Sequence, residues 1–587
     1  MLCYSFLLPF ALQWLQGDAM IYQKNPFLPP QLLVRPPGGL RRTAYHQYTG
    51  KPMTDEGFTG IRSTPQLLDH FNESDTRTWY QVYWPNSQYA KLHDGRDLVF
   101  LLVGGDSYES LSSVTDPNWQ IVKWAEQFGA HVYRLEHRFF GKAPPLGQTG
   151  VEGLKYLSVN QAVEDVAFFA KSSMAAIQLK NPSWILFGDG YGGILASLAR
   201  TRHPDIFAGA VVSSASIHYT REWPQFASFT EMILRNIKLP DNSYCDSWTR
   251  NFLNTTAKFM DTPDLRRYLN ERLHVSPALP HENTITEQDR WHFFASILSV
   301  FQGFFPLTYH SSPTMYQDQF TAENLCQKMF GGANFEALFS TYQWFMNDHY
   351  MAKKPEVFTS WYEQMVKDLK RTLTDRVDED TTQNVHWLWL SCTDLGMFPV
   401  SDANSVWQTS VPIKYYDNLC IDVFATTLKN VKTPSNAAVG DASNIVYVYG
   451  SFDPSLSLGQ KTSDPANNIV VVNIEGVGAL TDLFSEIKSE PLSVSAGRMK
   501  IGNFISGTIP WKNTDSSTKI VPSPSSPATV PLPSPPSIQQ TAVTNPSSKP
   551  TAATSKPGEQ TTKSAVGTGF LQISFTIFTL LFTGLSE

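Results

Sequence analysis

From Leu98 the chain runs Leu-Val-Phe-Leu-Leu-Val and stops at Gly104-Gly105-Asp106. A short continuous apolar run closed by paired glycines predicts a strand buried on both faces. Ala130 to Leu135 repeats the pattern, Val151 to Lys171 predicts a loop followed by a helix, and Ile206 to Ser213 predicts a further strand. Strands alternating with helical spacing imply an α/β fold with a largely parallel sheet. Between residues 215 and 435 the pattern changes to Trp, Tyr, Phe and Met at helix-like spacing, which predicts a mostly helical insertion. Strand patterns return at Asn444-Ile-Val-Tyr-Val-Tyr and Asn468-Ile-Val-Val-Val-Asn-Ile, so residues 436–512 are expected to complete the sheet begun by residues 20–214.

The chemically informative stretch is Trp184-Ile-Leu-Phe-Gly-Asp-Gly-Tyr-Gly-Gly-Ile-Leu-Ala196. An apolar run breaks into a glycine-dense turn and resumes with helical spacing, the outline of a nucleophile elbow, Gly-x-Ser-x-Gly. In that register Gly188 and Gly192 occupy the two positions that must be small, and Gly190 stands where the serine belongs. Placing Asp189 at the apex instead would put Phe187 and Tyr191 at the small positions. Asp189 is therefore read as a residue on the flank of the turn.

The ends of the chain carry export signals. Residues 1–19 hold an apolar stretch followed by Gly17 and Ala19, the pattern of a cleavable signal segment. Its removal discards Cys3 and leaves Cys245, Cys326, Cys392 and Cys420, an even set suited to disulfides in an oxidising compartment. Of the three pairings that four cysteines allow, nearest neighbours are expected, Cys245 with Cys326 and Cys392 with Cys420. Asn72-Glu-Ser and Asn254-Thr-Thr are N-glycosylation acceptor sequences. Residues 513–567 are rich in Ser, Thr and Pro, and predict an extended, O-glycosylated stalk. The tail, residues 568–587, is apolar from Phe570 to Leu585 but shorter than the about 20 residues that span a bilayer. With small residues and a spacer upstream it predicts a GPI attachment signal, with a C-terminal hydrophobic span as the alternative.

Composition removes some functions without choosing among the rest. A net charge of −7, from 46 basic and 53 acidic residues, gives no reason to expect a nucleic-acid partner. No cluster of Cys or His has metal-ligand spacing, and no cofactor is implied.

Several blocks together carry a resemblance: Leu68-Asp-His-Phe-Asn, Thr78-Trp-Tyr-Gln, Gly104-Gly-Asp, Glu136-His-Arg-Phe-Phe-Gly-Lys, Leu157-Ser-Val-Asn-Gln-Ala, the elbow, Gly450-Ser-Phe-Asp-Pro and Gly476-Val-Gly-Ala-Leu-Thr-Asp. Over about residues 60 to 510 the chain resembles the lysosomal serine exopeptidases, the family of prolyl carboxypeptidase, dipeptidyl peptidase II and thymus-specific serine protease. The resemblance implies an α/β-hydrolase sheet capped by a large helical insertion, and cleavage of short or proline-containing peptides through a Ser, Asp, His triad in that chain order. The serine position is Gly190, the acid is retained as Asp453, and the histidine position is Ala479. No histidine follows Asp453; the last in the chain is His386, inside the insertion. The resemblance also makes Gly104, Gly105, Asp106 and the Tyr191 amide candidates for a pocket or oxyanion hole.

Nucleophilic catalysis needs an activatable oxygen and a base within hydrogen-bond reach. The sequence therefore predicts a secreted or surface-anchored peptidase homologue without peptidase chemistry, whose expected partners are a peptide or protein ligand, the membrane through its C-terminal anchor, and a second copy of itself. The resemblance adds the lysosome as a location. One alternative is an active hydrolase using Ser213 or Ser214 with a histidine from the insertion. The other is a purely structural surface protein whose cleft is filled by aromatic side chains.

Overall fold

The computed structural model describes residues 61–510 apart from internal stretches, the longest being 305–321, 332–360 and 427–440. The predicted signal segment, stalk and C-terminal tail lie outside the described residues.

Among the described residues nine strands form one sheet: β1 (Arg62–Leu67), β2 (Thr78–Asn86), β3 (Leu92–His93), β4 (Arg96–Val103), β5 (His131–Leu135), β6 (Ser183–Asp189), β7 (Phe207–Ser213), β8 (Ile445–Gly450) and β9 (Ile469–Ile474). The order is β1-β2-β5-β4-β6-β7-β8-β9, with β3 paired to β4. β1 and β2 are antiparallel, and from β5 through β9 every neighbouring pair on that path is parallel.

The parallel strands read as unbroken apolar runs because helices cover both faces. Along β4, Val99, Leu101 and Val103 join one core while Leu98, Phe100 and Leu102 join the other. On the first face pack α2 (Val159–Ala176) and α3 (Gly190–Arg202); on the second pack α1 (Gln120–Phe128) and α12 (Leu492–Thr508). Each fully buried Val, Leu, Ile or Phe contributes roughly 1.5–3 kcal/mol.

Between β7 and β8 the chain leaves the sheet and forms α4 (Pro224–Arg235), α5 (Cys245–Asp261), α6 (Pro263–Arg272), α7 (Glu287–Phe304), α8 (Ala322–Gly331), α9 (Tyr362–Thr374), α10 (Glu379–Leu390) and α11 (Ile413–Phe424). This is the helical insertion, and its apolar core is continuous with the first face of the sheet. Disulfides join Cys245 to Cys326 and Cys392 to Cys420, both within it.

Two features differ from the sequence reading. The helix expected to end near Lys171 runs to Ala176, and β1 and β2 extend the sheet by an antiparallel pair. β1 is an edge strand with mostly exposed side chains, so it lacks an apolar run.

Candidate functional site

β6 ends at Asp189 in extended backbone, φ −131° and ψ 150°, and α3 begins at the next residue. Gly190 takes φ +50°, a conformation that costs other residues roughly 1–2 kcal/mol. A Cβ on Gly188 would lie 2.3 Å from the Gly192 carbonyl oxygen, and one on Gly192 would lie 2.6 Å from that of Val103. Both positions exclude any side chain. The turn therefore has the register read from the sequence, with Asp189 on its flank, and its apex offers no nucleophile.

Parallel pairing brings the other two positions to the same edge of the sheet. Asp189 is opposite Ser213, Ser213 is opposite Val448, and Gly450 is opposite Ile474. Just beyond these strand ends, the Phe452 amide donates to the Val477 carbonyl at 2.8 Å. A Cβ on Gly450 would lie 2.1 Å from the Gly478 carbonyl oxygen. The segment carrying Asp453 is thus packed against the segment carrying Ala479, at the edge where Gly190 turns.

Asp453 is wholly buried. Its Oδ1 accepts the Ser455 amide at 2.8 Å, and its Oδ2 has no hydrogen-bond partner. Burial pushes its pKa up to about 6; the Ser214 hydroxyl and the Ser455 amide oppose the rise, and the Asp482 charge adds to it. Asp482 is buried and also pushed up to about 6, although Ser213 Oγ donates to its Oδ1 at 2.6 Å. Ser214 Oγ accepts the Leu480 amide at 2.9 Å. Both Ser214, φ +51°, and Leu480, φ +64°, are held in the left-handed region, a strain typical of functional sites. The hydroxyls of Ser213 and Ser214 are thus engaged by carboxylates and backbone.

One hydroxyl beneath the insertion does meet an imidazole. Tyr191 Oη lies 3.1 Å from His137 Nε2, with Trp387 of α10 packed 5.6 Å from the tyrosine ring. Burial raises the phenol well above its ordinary pKa and lowers His137 to about 4. Activating a nucleophile requires a more acidic hydroxyl and a more basic partner, so this pair is shifted in the wrong sense on both sides. His137 Nδ1 faces the Arg138 carbonyl oxygen. Arg138 is itself buried, its Nε and Nη2 each donating to Asp165 at 2.6 Å, which locks the segment in place.

Gly104 and Asp106 are buried at the end of β4, and Gly105 lies against the start of α3, where a Cβ would be 3.2 Å from the Gly192 nitrogen. His386 sits on α10 with Nδ1 on the Phe139 carbonyl oxygen at 2.8 Å. A Ser-His-Asp chain that no sequence spacing reveals lies at the opposite end of the sheet. There Ser87 Oγ is 2.9 Å from His131 Nδ1, and His131 Nε2 is 3.3 Å from Asp97 Oδ1. Of the two glycosylation acceptors, Asn72 is exposed with its Oδ1 accepting from Ser74 Oγ at 2.6 Å, and Asn254 is exposed on α5.

The family model described as serine carboxypeptidase S28 matches residues 66–501, well over half of the chain. The chain belongs to this serine carboxypeptidase family. Within it, the thymus-specific serine protease of Mus musculus is 36% identical over 174 residues, 29% of this chain and 33% of that protein. The lysosomal Pro-X carboxypeptidase of Mus musculus is 22% identical over 454 residues, 74% and 86% of the two chains. A proline iminopeptidase structure from Mycobacterium smegmatis covers 76% of this chain and 100% of its own, at 12% identity and a TM-score of 0.29. In this S28 member, the apex of the turn after β6 is Gly190, and Ala479 lies in the segment after β9.

Proposed function

We propose that this S28 family protein is a non-catalytic relative of the prolyl carboxypeptidases, exported and anchored at the cell surface, that binds a peptide or protein ligand without cleaving it. The observation that carries the reading is the apex of the elbow: Gly190 keeps the left-handed turn and has no side-chain oxygen. The unpaired Oδ2 of Asp453 supports it from the other side, since on this reading the carboxylate has no base to orient. Loss of nucleophile or base alone costs about 10⁶-fold in turnover in a serine protease. The names of the relatives, Pro-X carboxypeptidase and serine protease, point to proline-containing peptides as the ligand class to try first. The apolar tail and the Ser/Thr/Pro stalk supply the reading of a GPI-anchored surface protein.

A second reading, a structural surface protein with a filled cleft, is favoured by Tyr191, wholly buried beneath Trp387 with His137 and Phe140 against it. Calorimetric titration with proline-containing peptides, alongside a turnover assay on the same peptides, separates the two. Saturable binding without product supports a receptor; no binding and no product supports the structural reading; product at rates comparable with a family enzyme rules out both.

A further inference from the structure

At the edge of the sheet opposite the elbow, three polar side chains from three strands meet on one face. β5 opens with His131, which is paired with Val99 of β4. Asp97 stands two residues before Val99, so strand alternation puts it on the same face. β2 ends at Asn86, opposite Val132, and the next residue, Ser87, reaches His131. Ser87 is exposed, while the side chains of His131 and Asp97 are only 15% and 9% exposed. The order from solvent inward is hydroxyl, imidazole, carboxylate.

The directions of the hydrogen bonds follow from the buried end. Asp97 Oδ2 accepts the Lys180 amide at 2.7 Å, which fixes the carboxylate. Its Oδ1, an acceptor, lies 3.3 Å from His131 Nε2, so the imidazole hydrogen belongs on Nε2. Nδ1 is then the acceptor, and Ser87 Oγ donates to it at 2.9 Å. A hydroxyl donating to a base that an acid orients is the arrangement that activates a serine. Tyr133, its ring stacked 6.1 Å from that of His131, has its hydroxyl within hydrogen-bonding reach of Ser87. Burial raises that phenol above its ordinary pKa, so it keeps its hydrogen and can donate to an oxygen that gains charge.

We propose that Ser87, His131 and Asp97 form a nucleophilic site that takes activated aryl esters of small carboxylic acids. Ser87 Oγ bonds to the carbonyl carbon and passes its proton to His131 Nδ1, while Asp97 positions the imidazole. The bond from that carbon to the aryl oxygen breaks, and the aryl oxygen leaves with the proton from His131. Water, attacking with the same base, then releases the acid and restores the serine hydroxyl. An aryl oxide leaves far more readily than an amine, so a single base and a single donor at an open surface act on esters and leave peptide bonds intact. The site shares no residue with the turn at Gly190, and neither proposal depends on the other.

The test is incubation of the full-length protein with p-nitrophenyl acetate, following p-nitrophenol release, with peptide mapping to locate the acetyl group. The parent should be acetylated on Ser87 at least tenfold faster than on Ser63, which is also exposed. Ser87→Ala should lose that acetyl group with its melting temperature unchanged. In His131→Gln acetylation of Ser87 should slow roughly 100-fold, the usual contribution of a positioned base. Asp97→Asn, which keeps an oxygen for the Lys180 amide, should slow it as well. Ser87 acetylated no faster than Ser63, or as fast in folded His131→Gln or Asp97→Asn as in the parent, overturns the proposal. Should both of those variants fail to fold, the comparison of Ser87 with Ser63 in the parent still decides the question.

Discussion

The Leu480 amide, one residue beyond Ala479, donates to Ser214 Oγ at 2.9 Å. Ser214 also helps to hold down the pKa of Asp453. A hydroxyl at the end of β7 therefore links Asp453 to the segment that carries Ala479. Replacing Ser214 with Ala leaves the buried Leu480 N–H without its acceptor, a loss of about 1–3 kcal/mol. Urea unfolding should show that loss, with no change in peptide turnover.

Asp453 and Asp482 give the protein an unusual dependence on pH. Both carboxyls are raised from 3.8 to about 6 in the folded state. The folded chain then holds protons more tightly than the unfolded chain, so their contribution is most favourable near pH 4 and is lost as pH rises through about 6. His137, lowered to about 4 by burial, acts oppositely, because the unfolded chain gains its proton first as pH falls below about 6.5. Comparing the parent with Asp482→Asn cancels the histidine contribution. The variant should melt higher than the parent at pH 7, and the difference should shrink toward zero near pH 4.

On the proposed reading, two substitutions and not one separate this chain from a working triad. Gly190→Ser alone supplies an oxygen with no base, and Ala479→His alone supplies a base with no nucleophile. Each single variant should remain at background in a proline-peptide assay, since either loss costs about 10⁶-fold by itself. The double variant should be the first to show turnover above background.

Gly188 has a purely steric duty. A Cβ there would sit 2.3 Å from a backbone oxygen that cannot swing away, so Gly188→Ala should destabilise by about 3 kcal/mol or more. A circular-dichroism melt would show the drop, while Gly507→Ala, where a Cβ meets nothing within 4 Å, should leave the melting temperature close to that of the parent.

Much of this was legible in residue order because sterics and double-sided burial leave plain marks. β4 and β6 to β8 are covered on both faces and read as apolar runs, and the register of the turn follows from two positions that admit no side chain. The joint absence of serine and histidine is visible at Gly190 and Ala479 alone. What could not be read depends on contacts between distant segments. The bond between Ser214 and Leu480 joins two strained turns, and the pairing of Tyr191 with His137 links α3 to the segment after β5. β1 escaped notice because an edge strand needs few apolar residues.

The central claim is that no activated nucleophile lies at the sheet edge where Gly190 turns. Incubation of the folded protein with a fluorophosphonate, followed by intact mass and peptide mapping, tests it most directly, with a labelled S28 enzyme as the positive control. The account predicts no adduct on any residue beneath the insertion. A stoichiometric adduct on a single hydroxyl there, Ser213, Ser214 or Tyr191 among them, would contradict it.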